Sequence, residues 1–444
     1  MAGLDGIDTL VVLMFENRSF DHLLGHLSLE DPQSEVDGLR NPDTNPRYAN
    51  VYENMVYRPF VIHDEAAVVT HDPPHSRASV LTQMGRRGNK FRMSGFVKAY
   101  VEYTQHVTSQ PPPMGYFDSQ GAWMSSFLAR NFCVCDRWFT PLPADTQPNR
   151  LMAFTGHALI DNTGERLLPN EQHVFDWLEQ RNIRWRVYCD GLPFFALFGR
   201  FPEVIGPRFR PIDKLDDDLR TEPLAQTPQV IFIEPRYFDY FWSDLPANCN
   251  HPLAQLSNGE LFLHRVYSAL TLNPEKWART MFVVTYDEHG GFFDHVPPLP
   301  ISNPVPPGAS YTEGFSTTGP RVPGLIATPW TRPGKVFHGH LDHTSILQFI
   351  AERFGSGPDD YSSSVSARRQ QGILSLSAAL DDQATQRPAP QRAAQPAPIP
   401  PSGKRPPRKP NERAFNVAAQ ELKQREGASS IAKFPSLADL PPMP

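Results

Sequence analysis

Cysteine is scarce in this chain, which has four among its 444 residues. So few thiols exclude a disulfide framework for a protein of this length, and reduced cysteines in the core are the expectation. Cys133 and Cys135 are separated by a single residue, which is not the spacing of a zinc knuckle or a redox pair, and Cys189 and Cys249 stand alone. None of the four is therefore a candidate metal ligand.

The chain also lacks an excess of positive charge and a long hydrophobic run. Its net charge is -6 and its sequence pI is about 6.2, so no nucleic-acid partner is expected. No stretch is long and apolar enough to span a membrane. The first residues contain a short apolar run without a basic segment before it, which predicts a strand rather than a signal peptide. We expect a cytoplasmic protein by default, or one exported by a non-classical, contact-dependent route.

Continuous apolar runs predict buried strands at residues 9–15, 229–233 and 281–286. Helical periodicity lies between and after them, at residues 174–180, 259–272 and 341–354. Strands that alternate with helices indicate an α/β fold with a doubly wound, mainly parallel sheet and helices on both faces.

The composition changes after about residue 365. We predict one large domain at residues 1–365, a Pro/Ala-rich linker at 366–411 and a C-terminal tail at 412–444 with one short helix that an Asn caps. The basic, Pro-rich segment is expected to be extended. Its expected partner is a secretion adaptor or another protein.

Oxygen-rich pairs follow two of the predicted strands. Glu16 and Asn17 follow the first strand, and Asp287 and Glu288 follow the third. Ligands bind at the carboxyl ends of parallel strands, so these four residues are expected to meet at one edge of the sheet. Adjacent buried carboxylates need a counter-charge, and oxygen donors favour a hard divalent cation. The alternative for either pair alone is that it caps the following turn.

The loop at residues 140–150 supplies a candidate nucleophile. Thr146 lies between Asp145 and Gln147, and Arg150 follows four residues later. A hydroxyl beside a divalent cation loses its proton more readily and can attack phosphorus, and Arg150 can bind a phosphate oxygen or brace the loop. On local sequence alone, Thr146 fits an ordinary turn equally well.

Histidines beside prolines or carboxylates complete the candidate set. They are suited to stabilise charge on a phosphoryl group or to protonate a leaving alcohol near neutral pH. A lone histidine is more often structural. The candidates are His71, His75, His251, His289 and His295.

Seven ordered motifs together resemble a known phosphoesterase family. The motifs are ENRSFDH at 16–22, DPPH at 72–75, DTQPNR at 145–150, NHP at 250–252 with GE at 259–260, TYDEHGGFFDHVPP at 285–298, GPRVP at 319–323 and DHTS at 342–345. The family includes bacterial phosphatidylcholine-preferring phospholipases C, plant non-specific phospholipases C and an acid phosphatase. The resemblance covers about residues 7–356 and implies a fold similar to that of alkaline phosphatase.

The resemblance also implies a site. Its metal ligands fall on Glu16, Asn17, Thr146, Asp287 and Glu288, around one divalent ion that is Ca, Mn, Mg or Zn. Thr146 corresponds to the nucleophile that forms a phosphothreonine intermediate, and His75 and His251 correspond to the histidines that bind the phosphoryl group. Residues expected to orient these groups are Asp294, His295, Arg150 and His343.

The expected function is that of a phosphoric ester hydrolase. Threonine at position 146 resembles the phospholipase branch, where the acid phosphatase branch has serine. We therefore expect hydrolysis of a phospholipid to diacylglycerol and a phosphorylated headgroup, with contact to a membrane surface. The alternatives are a phosphomonoesterase that acts on soluble substrates and a non-catalytic protein that binds a phosphorylated ligand.

Overall fold

The structure is a computed structural model that describes residues 2–88, 90–237, 242, 245–381, 386–390 and 409–440. Eight strands form its main sheet: β1 (Thr9–Phe15), β2 (Cys133–Cys135), β3 (Trp185–Cys189), β4 (Phe209–Pro211), β5 (Val230–Glu234), β6 (Thr280–Tyr286), β7 (Leu325–Ala327) and β8 (Lys335–Phe337). Short two-stranded pairs lie outside it: Asn50–Tyr52 with Met55–Tyr57, Phe60–Val61 with Gly115–Tyr116, Arg86–Arg87 with Lys90–Phe91, and Pro300–Asn303 with Phe315–Thr317.

The longer helices, of eight residues or more, are α1 (Arg77–Met84), α2 (Phe96–Thr104), α3 (Trp123–Asn131), α4 (Thr146–Thr155), α5 (Leu256–Leu270), α6 (Thr344–Phe354), α7 (Ser363–Gln370) and α8 (Pro410–Glu426). Shorter helices are Ala2–Asp5, Phe20–Leu24, Leu27–Glu30, Glu65–Val68, Val174–Gln180, Phe201–Ile205, Leu215–Thr221, Pro274–Trp277 and Ala428–Lys433. Within the described ranges, no helix has the length and apolar character that a membrane span requires.

The strand order of the main sheet is β4-β3-β5-β1-β6-β7-β2-β8. In this order, each neighbouring pair among the first five strands (β4, β3, β5, β1 and β6) is parallel. Strand β7 runs antiparallel to both of its neighbours. Every residue of β1, β5 and β6 is buried, as continuous apolar strands covered on both faces require. The predicted mainly parallel α/β fold is confirmed, and the predicted strands are shifted by at most one residue.

The C-terminal part packs against the main domain. Helix α7 runs across the predicted boundary at residue 365, and its side chain Val365 is fully buried. Helix α8 begins at Pro410, after Lys409 in the cap position, and not with an Asn cap. Its apolar side chains Ala414, Phe415, Ala418, Ala419 and Leu422 are fully buried. Residues 382–385 and 391–408 of the predicted Pro/Ala-rich linker lie outside the described residues.

Candidate active site

The two carboxylate pairs meet at one edge of the sheet. Strands β1 and β6 are neighbours in parallel register, with Phe15 opposite Tyr286, so the residues that follow them lie side by side. The backbone N–H of Asn17 donates to Asp287 Oδ1 at 3.2 Å, across the two strand ends. The sequence-based expectation that these pairs converge therefore agrees with the geometry.

Asp287 and Glu288 are fully buried, and backbone N–H groups bind both of them. Glu288 N donates to Asp287 Oδ1 at 2.7 Å, and Gly290 N donates to Glu288 Oε2 at 2.6 Å. Burial raises the pKa of both carboxyls, and the charge of Asp287 raises that of Glu288 further. Gly290 has φ +64°, and a Cβ there would lie 2.1 Å from the carbonyl oxygen of Asn17. Glycine is thus required for the two strand ends to approach each other.

Arg150 supplies part of the counter-charge. Its Nε donates to Asp287 Oδ2 at 2.9 Å, and its terminal nitrogen lies 3.5 Å from Glu16 Oε1. The remaining terminal nitrogen donates to the hydroxyl of Tyr237 at 2.9 Å. The geometry therefore corresponds to the bracing role that the sequence allowed for Arg150, and not to a group that faces a phosphate.

Thr146 is the first residue of α4 and lies one turn before Arg150, on the same face of the helix. The cap residue Asp145 is buried, which raises its pKa to about 6, and its charge raises the pKa of Glu288. The N-terminal end of helix α4, a favourable place for an anion, therefore lies near Glu288.

Two histidines flank the same place. The rings of His75 and His251 are 6.1 Å apart between centroids. His75 Nδ1 donates to the carbonyl of Pro73 at 2.9 Å, which leaves its Nε2 to accept from Asn17 Nδ2 at 3.2 Å. His75 Nε2 is also 3.9 Å from Glu288 Oε1. The predicted phosphoryl-binding histidines and the predicted metal ligands thus form one continuous site.

The oxygen atoms of this site fit a divalent cation. The amide of Asn17 donates through its nitrogen, so its Oδ1 is left as an acceptor. Asn17 Oδ1 and Glu288 Oε1 are both buried and have no hydrogen-bond partner among the described residues. Buried oxygens of this kind are costly unless a cation or water satisfies them. Their chemistry is that of a Ca²⁺, Mg²⁺ or Mn²⁺ ligand set.

Asp72 is a member of the site that the sequence reasoning missed. Its carboxylate forms a group with His75 and His251 in which the potential ligand atoms lie within 4.8 Å of one another. Asp72 Oδ2 is 3.9 Å from His251 Nε2. Its position inside the DPPH motif was the available signal.

His343 positions Asp287 through the backbone. Its Nδ1 accepts from Trp138 Nε1 at 3.2 Å, so its Nε2 carries the proton and donates to the carbonyl of Asp287 at 2.7 Å. Burial lowers the pKa of His343 to about 4 and keeps the ring neutral. The predicted orienting role has a direct structural counterpart here.

Asp294 and His295 lie in a different cluster. His295 donates from Nδ1 to Asp21 Oδ2 at 2.7 Å, and Asp294 Oδ1 accepts from Arg321 Nε at 2.9 Å. Arg321 also donates to Asp21 Oδ1 at 3.1 Å, which joins the cluster. Burial disfavours the charged form of His295, but Asp21 and Asp37 together outweigh this effect and raise its pKa to about 9. We find these two residues hydrogen-bonded to Asp21 and Arg321 and not to the predicted metal ligands, so they brace the loop and do not orient those ligands directly.

Glu260 of the GE motif has a structural role. Its carboxylate accepts from Met124 N at 2.5 Å and from both Ser125 N and Ser125 Oγ, at the start of α3. These bonds satisfy N–H groups that the first turn of a helix cannot satisfy itself. Burial raises the pKa of Glu260 to about 7.

The chain is similar to known phosphoesterases. The model of the phosphoesterase family matches residues 7–356. Non-specific phospholipase C1 of Arabidopsis thaliana is 32% identical over 372 residues, which cover 78% of this chain and 67% of that protein. Hemolytic phospholipase C of Pseudomonas aeruginosa is 28% identical over 418 residues, which cover 79% of this chain and 53% of that protein. The chain thus spans about two thirds of the length of the plant protein and about half of the length of the bacterial one.

Solved structures give weaker likenesses. A mutant of TAB5 alkaline phosphatase with bound Mg has a TM-score of 0.33 and 10% identity, over 78% of this chain and 98% of that one. The phosphonate monoester hydrolase of Agrobacterium radiobacter has a TM-score of 0.30 and 10% identity, over 52% and 68%. The match of the family model confirms the predicted family and the class of phosphoric ester hydrolase. The chain belongs to the phosphoesterase family.

Proposed function

We propose that this protein is a metal-dependent phospholipase C that hydrolyses phospholipid to diacylglycerol and a phosphorylated headgroup. The observation that carries the proposal is the convergence of buried carboxylates, the N-terminus of α4 with Thr146, and two histidines at one sheet edge. Relatives from a plant and from bacteria are named phospholipases C, and this supports the lipid substrate.

The cation would be held by Glu16, Asn17, Asp287 and Glu288. When bound, it would supply positive charge that offsets the coupled carboxylates and makes the Thr146 hydroxyl more acidic. Arg150 holds Asp287 and Glu16 in place.

The chain's own residues account for a two-step reaction. The Thr146 oxygen attacks phosphorus, the bond from phosphorus to the glycerol oxygen breaks, and diacylglycerol leaves with a proton. Water then attacks phosphorus, which releases the phosphorylated headgroup and restores the Thr146 hydroxyl. His75 and His251 would bind the phosphoryl oxygens, and a histidine would protonate the leaving alcohol.

A lipid enzyme also needs a surface that meets the membrane. The apolar segments 114–117 and 194–195 do not form such a surface. Their large side chains Met114, Phe117, Phe194 and Phe195 belong to the core, where each is at most 5% exposed. They therefore hold the fold together and do not meet lipid.

The exposed hairpin formed by Asn50–Tyr52 and Met55–Tyr57 is the better candidate. Val51, Met55 and Val56 are each more than half exposed on it. The groove beside the hairpin is lined by arginines, among them Arg47, Arg86, Arg87 and Arg92. Apolar side chains next to guanidinium groups suit the interface of a phospholipid bilayer. We include contact of this surface with the membrane in the proposal.

The test measures product release by the purified chain. Phosphatidylcholine vesicles and p-nitrophenyl phosphate are the substrates, each with and without a chelator. We expect diacylglycerol release that chelation abolishes and that Thr146→Ala reduces by at least a hundredfold. Thr155→Ala is the matched control, because Thr155 lies at the other end of the same helix and its hydroxyl donates to Leu151 O.

Each result has a defined meaning. Cleavage of p-nitrophenyl phosphate without diacylglycerol release would replace the proposal with a soluble phosphomonoesterase. Full activity in Thr146→Ala would refute the nucleophile. No turnover of either substrate would favour a protein that only binds phosphorylated ligands.

A further inference from the structure

The C-terminal helix brings a lysine into the candidate active site. Lys409, in the cap position of α8, makes a very short contact from its ammonium to Asp72 Oδ2. Asp72 is the carboxylate that lies beside His251. The charge of Glu16 also acts on the ammonium and opposes the burial that lowers the pKa of Lys409 to about 8. A residue far outside the family motifs thus contacts Asp72, which lies beside His251.

Contacts of the first turn of α8 fix this position. Asn411 Oδ1 accepts from Gln147 Nε2 at 3.1 Å, and Gln147 directly follows Thr146. Phe415 packs on the ring of Tyr237 with 5.2 Å between centroids, and the Tyr237 hydroxyl accepts from Arg150. Helix α8 is therefore anchored to the same helix, α4, that carries the proposed nucleophile.

The apolar face of α8 makes the docking strong. Phe415 and Leu422 are fully buried and each contributes about 1.5–3 kcal/mol of burial free energy. Phe415 also contacts the ring of Phe194 at 6.3 Å between centroids. Such burial is sufficient to hold Lys409 at the site between turnovers.

Charge and donor count assign a function to this lysine. A phosphodiester anion has to enter a site rich in carboxylates, so it needs fixed donors of positive charge. The donors of Arg150 are committed to Asp287, Tyr237 and the carbonyl of Phe15. The ammonium of Lys409 has three N–H donors, and among the described residues its hydrogen bond is the one to Asp72.

We propose that Lys409 is a further substrate-binding residue, whose ammonium donates to a phosphoryl oxygen held between His75 and His251. This inference rests on the proposed function, because it assigns the lysine to the same phosphoester site. The C-terminal segment is then part of the active site. The bound chemistry is that of a phosphate oxygen, which a lipid headgroup and inorganic phosphate share.

The test uses the full chain and inorganic phosphate as the probe. Isothermal titration calorimetry in the presence of a chelator compares the wild type with Lys409→Gln and Lys409→Arg. Loss of one charge-assisted hydrogen bond is expected to weaken phosphate binding about tenfold in Lys409→Gln, and Lys409→Arg should retain most of the affinity. Lys423→Gln, in the last turn of the same helix, is the control and should bind as the wild type does.

Kinetics supply a second readout. With phosphatidylcholine, Lys409→Gln is expected to raise KM about tenfold and to change kcat less. Equal phosphate affinity in all four proteins, including absence of binding by the wild type, would overturn the proposal. Tighter phosphate binding or faster turnover in Lys409→Gln would also overturn it, because the lysine would then obstruct the site.

The two proposals fail in different ways. Phosphate binding that depends on Lys409, in a chain that releases no diacylglycerol, would refute the phospholipase activity and leave the phosphate site in place. Diacylglycerol release that Lys409→Gln does not alter, with unaltered phosphate affinity, would do the reverse. Unchanged melting temperatures and circular dichroism spectra show that the variants are folded, and Lys409→Arg repeats the comparison with the charge kept.

Discussion

Arg150→Met removes a guanidinium that contacts two of the buried carboxylates of the site. Arg150 is fully buried, as are its partners Asp287 at 2.9 Å and Glu16 at 3.5 Å. Methionine supplies no charge and no donor, and it also lacks the guanidinium carbon that lies over the rings of Phe194 and Tyr237. The substitution therefore removes the electrostatic contribution of the guanidinium together with these ring contacts.

The expected loss of unfolding free energy is about 3–5 kcal/mol at pH 7, the cost of leaving a buried charge without its partner. The loss depends on pH. Burial already raises the pKa of Asp287, and Arg150 opposes that rise. Without Arg150 the pKa in the folded state moves further above the unfolded value, so protonation stabilises the folded variant as the pH falls. The deficit should shrink between pH 7 and pH 5.

Equilibrium urea unfolding at both pH values, with a chelator present so that no cation replaces the guanidinium, measures the deficit. Arg220→Met is the matched control, since Arg220 pairs with Asp217 on the surface and should contribute less than about 1 kcal/mol. A deficit below about 1 kcal/mol for Arg150→Met, or one that is equal at pH 5 and pH 7, would refute the reasoning.

Three further substitutions test other parts of the site. His295→Gln should lower the free energy of unfolding by up to about 3 kcal/mol at pH 6.5, because the pKa of His295 is raised to about 9 in the folded chain. The loss should shrink as the pH rises through about 9, since the stabilisation disappears when the ring loses its proton. Unfolding in urea between pH 6.5 and pH 10 measures this. Gly290→Ala should lower the free energy of unfolding by more than about 2 kcal/mol and abolish turnover, because its Cβ would lie 2.1 Å from the carbonyl oxygen of Asn17. Melting temperature and diacylglycerol release are the readouts. Glu260→Gln should lower the free energy of unfolding by about 1–3 kcal/mol, since the amide nitrogen of Gln is a donor and would face N–H donors at the start of α3. Urea unfolding measures the loss.

Matched controls separate these effects from general damage. His63→Gln replaces an exposed histidine and should show no comparable pH dependence. Gly308→Ala is strained in the same way, at φ +82°, but has no atom within 4 Å of the new Cβ, so it should cost about 1 kcal/mol. Glu275→Gln changes an exposed glutamate and should be neutral. A control that matches its test variant would contradict the reason given for that variant.

The edge of the sheet could be predicted from the sequence because two local signals determine it. A continuous apolar run predicts a buried parallel strand, and the polar residues directly after it must lie at the strand's carboxyl end. Glu16 and Asp287 satisfy both conditions, and β1 and β6 are neighbours in register. The meeting of the two pairs follows from the rule that ligands bind at the carboxyl ends of parallel strands. The need for a counter-charge predicts a cation there, and Arg150 of the chain itself supplies part of that charge.

Roles that depend on side-chain direction could not be predicted in the same way. Asp294 follows Asp287 by seven residues in one motif, yet it turns to Arg321 and not to the predicted metal ligands. The buried ring of Phe293 packs at 5.4 Å from Phe96, in a smaller core beside the main one. A tight turn at Gly290 redirects the chain between the two acids, and short-range sequence patterns do not encode which partner lies beyond such a turn.

Lys409 shows why the most distant member of the site escaped the sequence reasoning. The apolar residues of α8 recur at positions 414, 415, 418, 419 and 422, a stripe that predicts a buried face and does not name the surface that covers it. A Pro/Ala-rich connection is long enough to reach many surfaces of the domain. Closing a loop of roughly 30 residues costs about 3 kcal/mol. Phe415 and Leu422 alone offset that cost, so the stripe favours docking and the identity of its partner follows from Gln147 and Tyr237, which only the folded chain brings together.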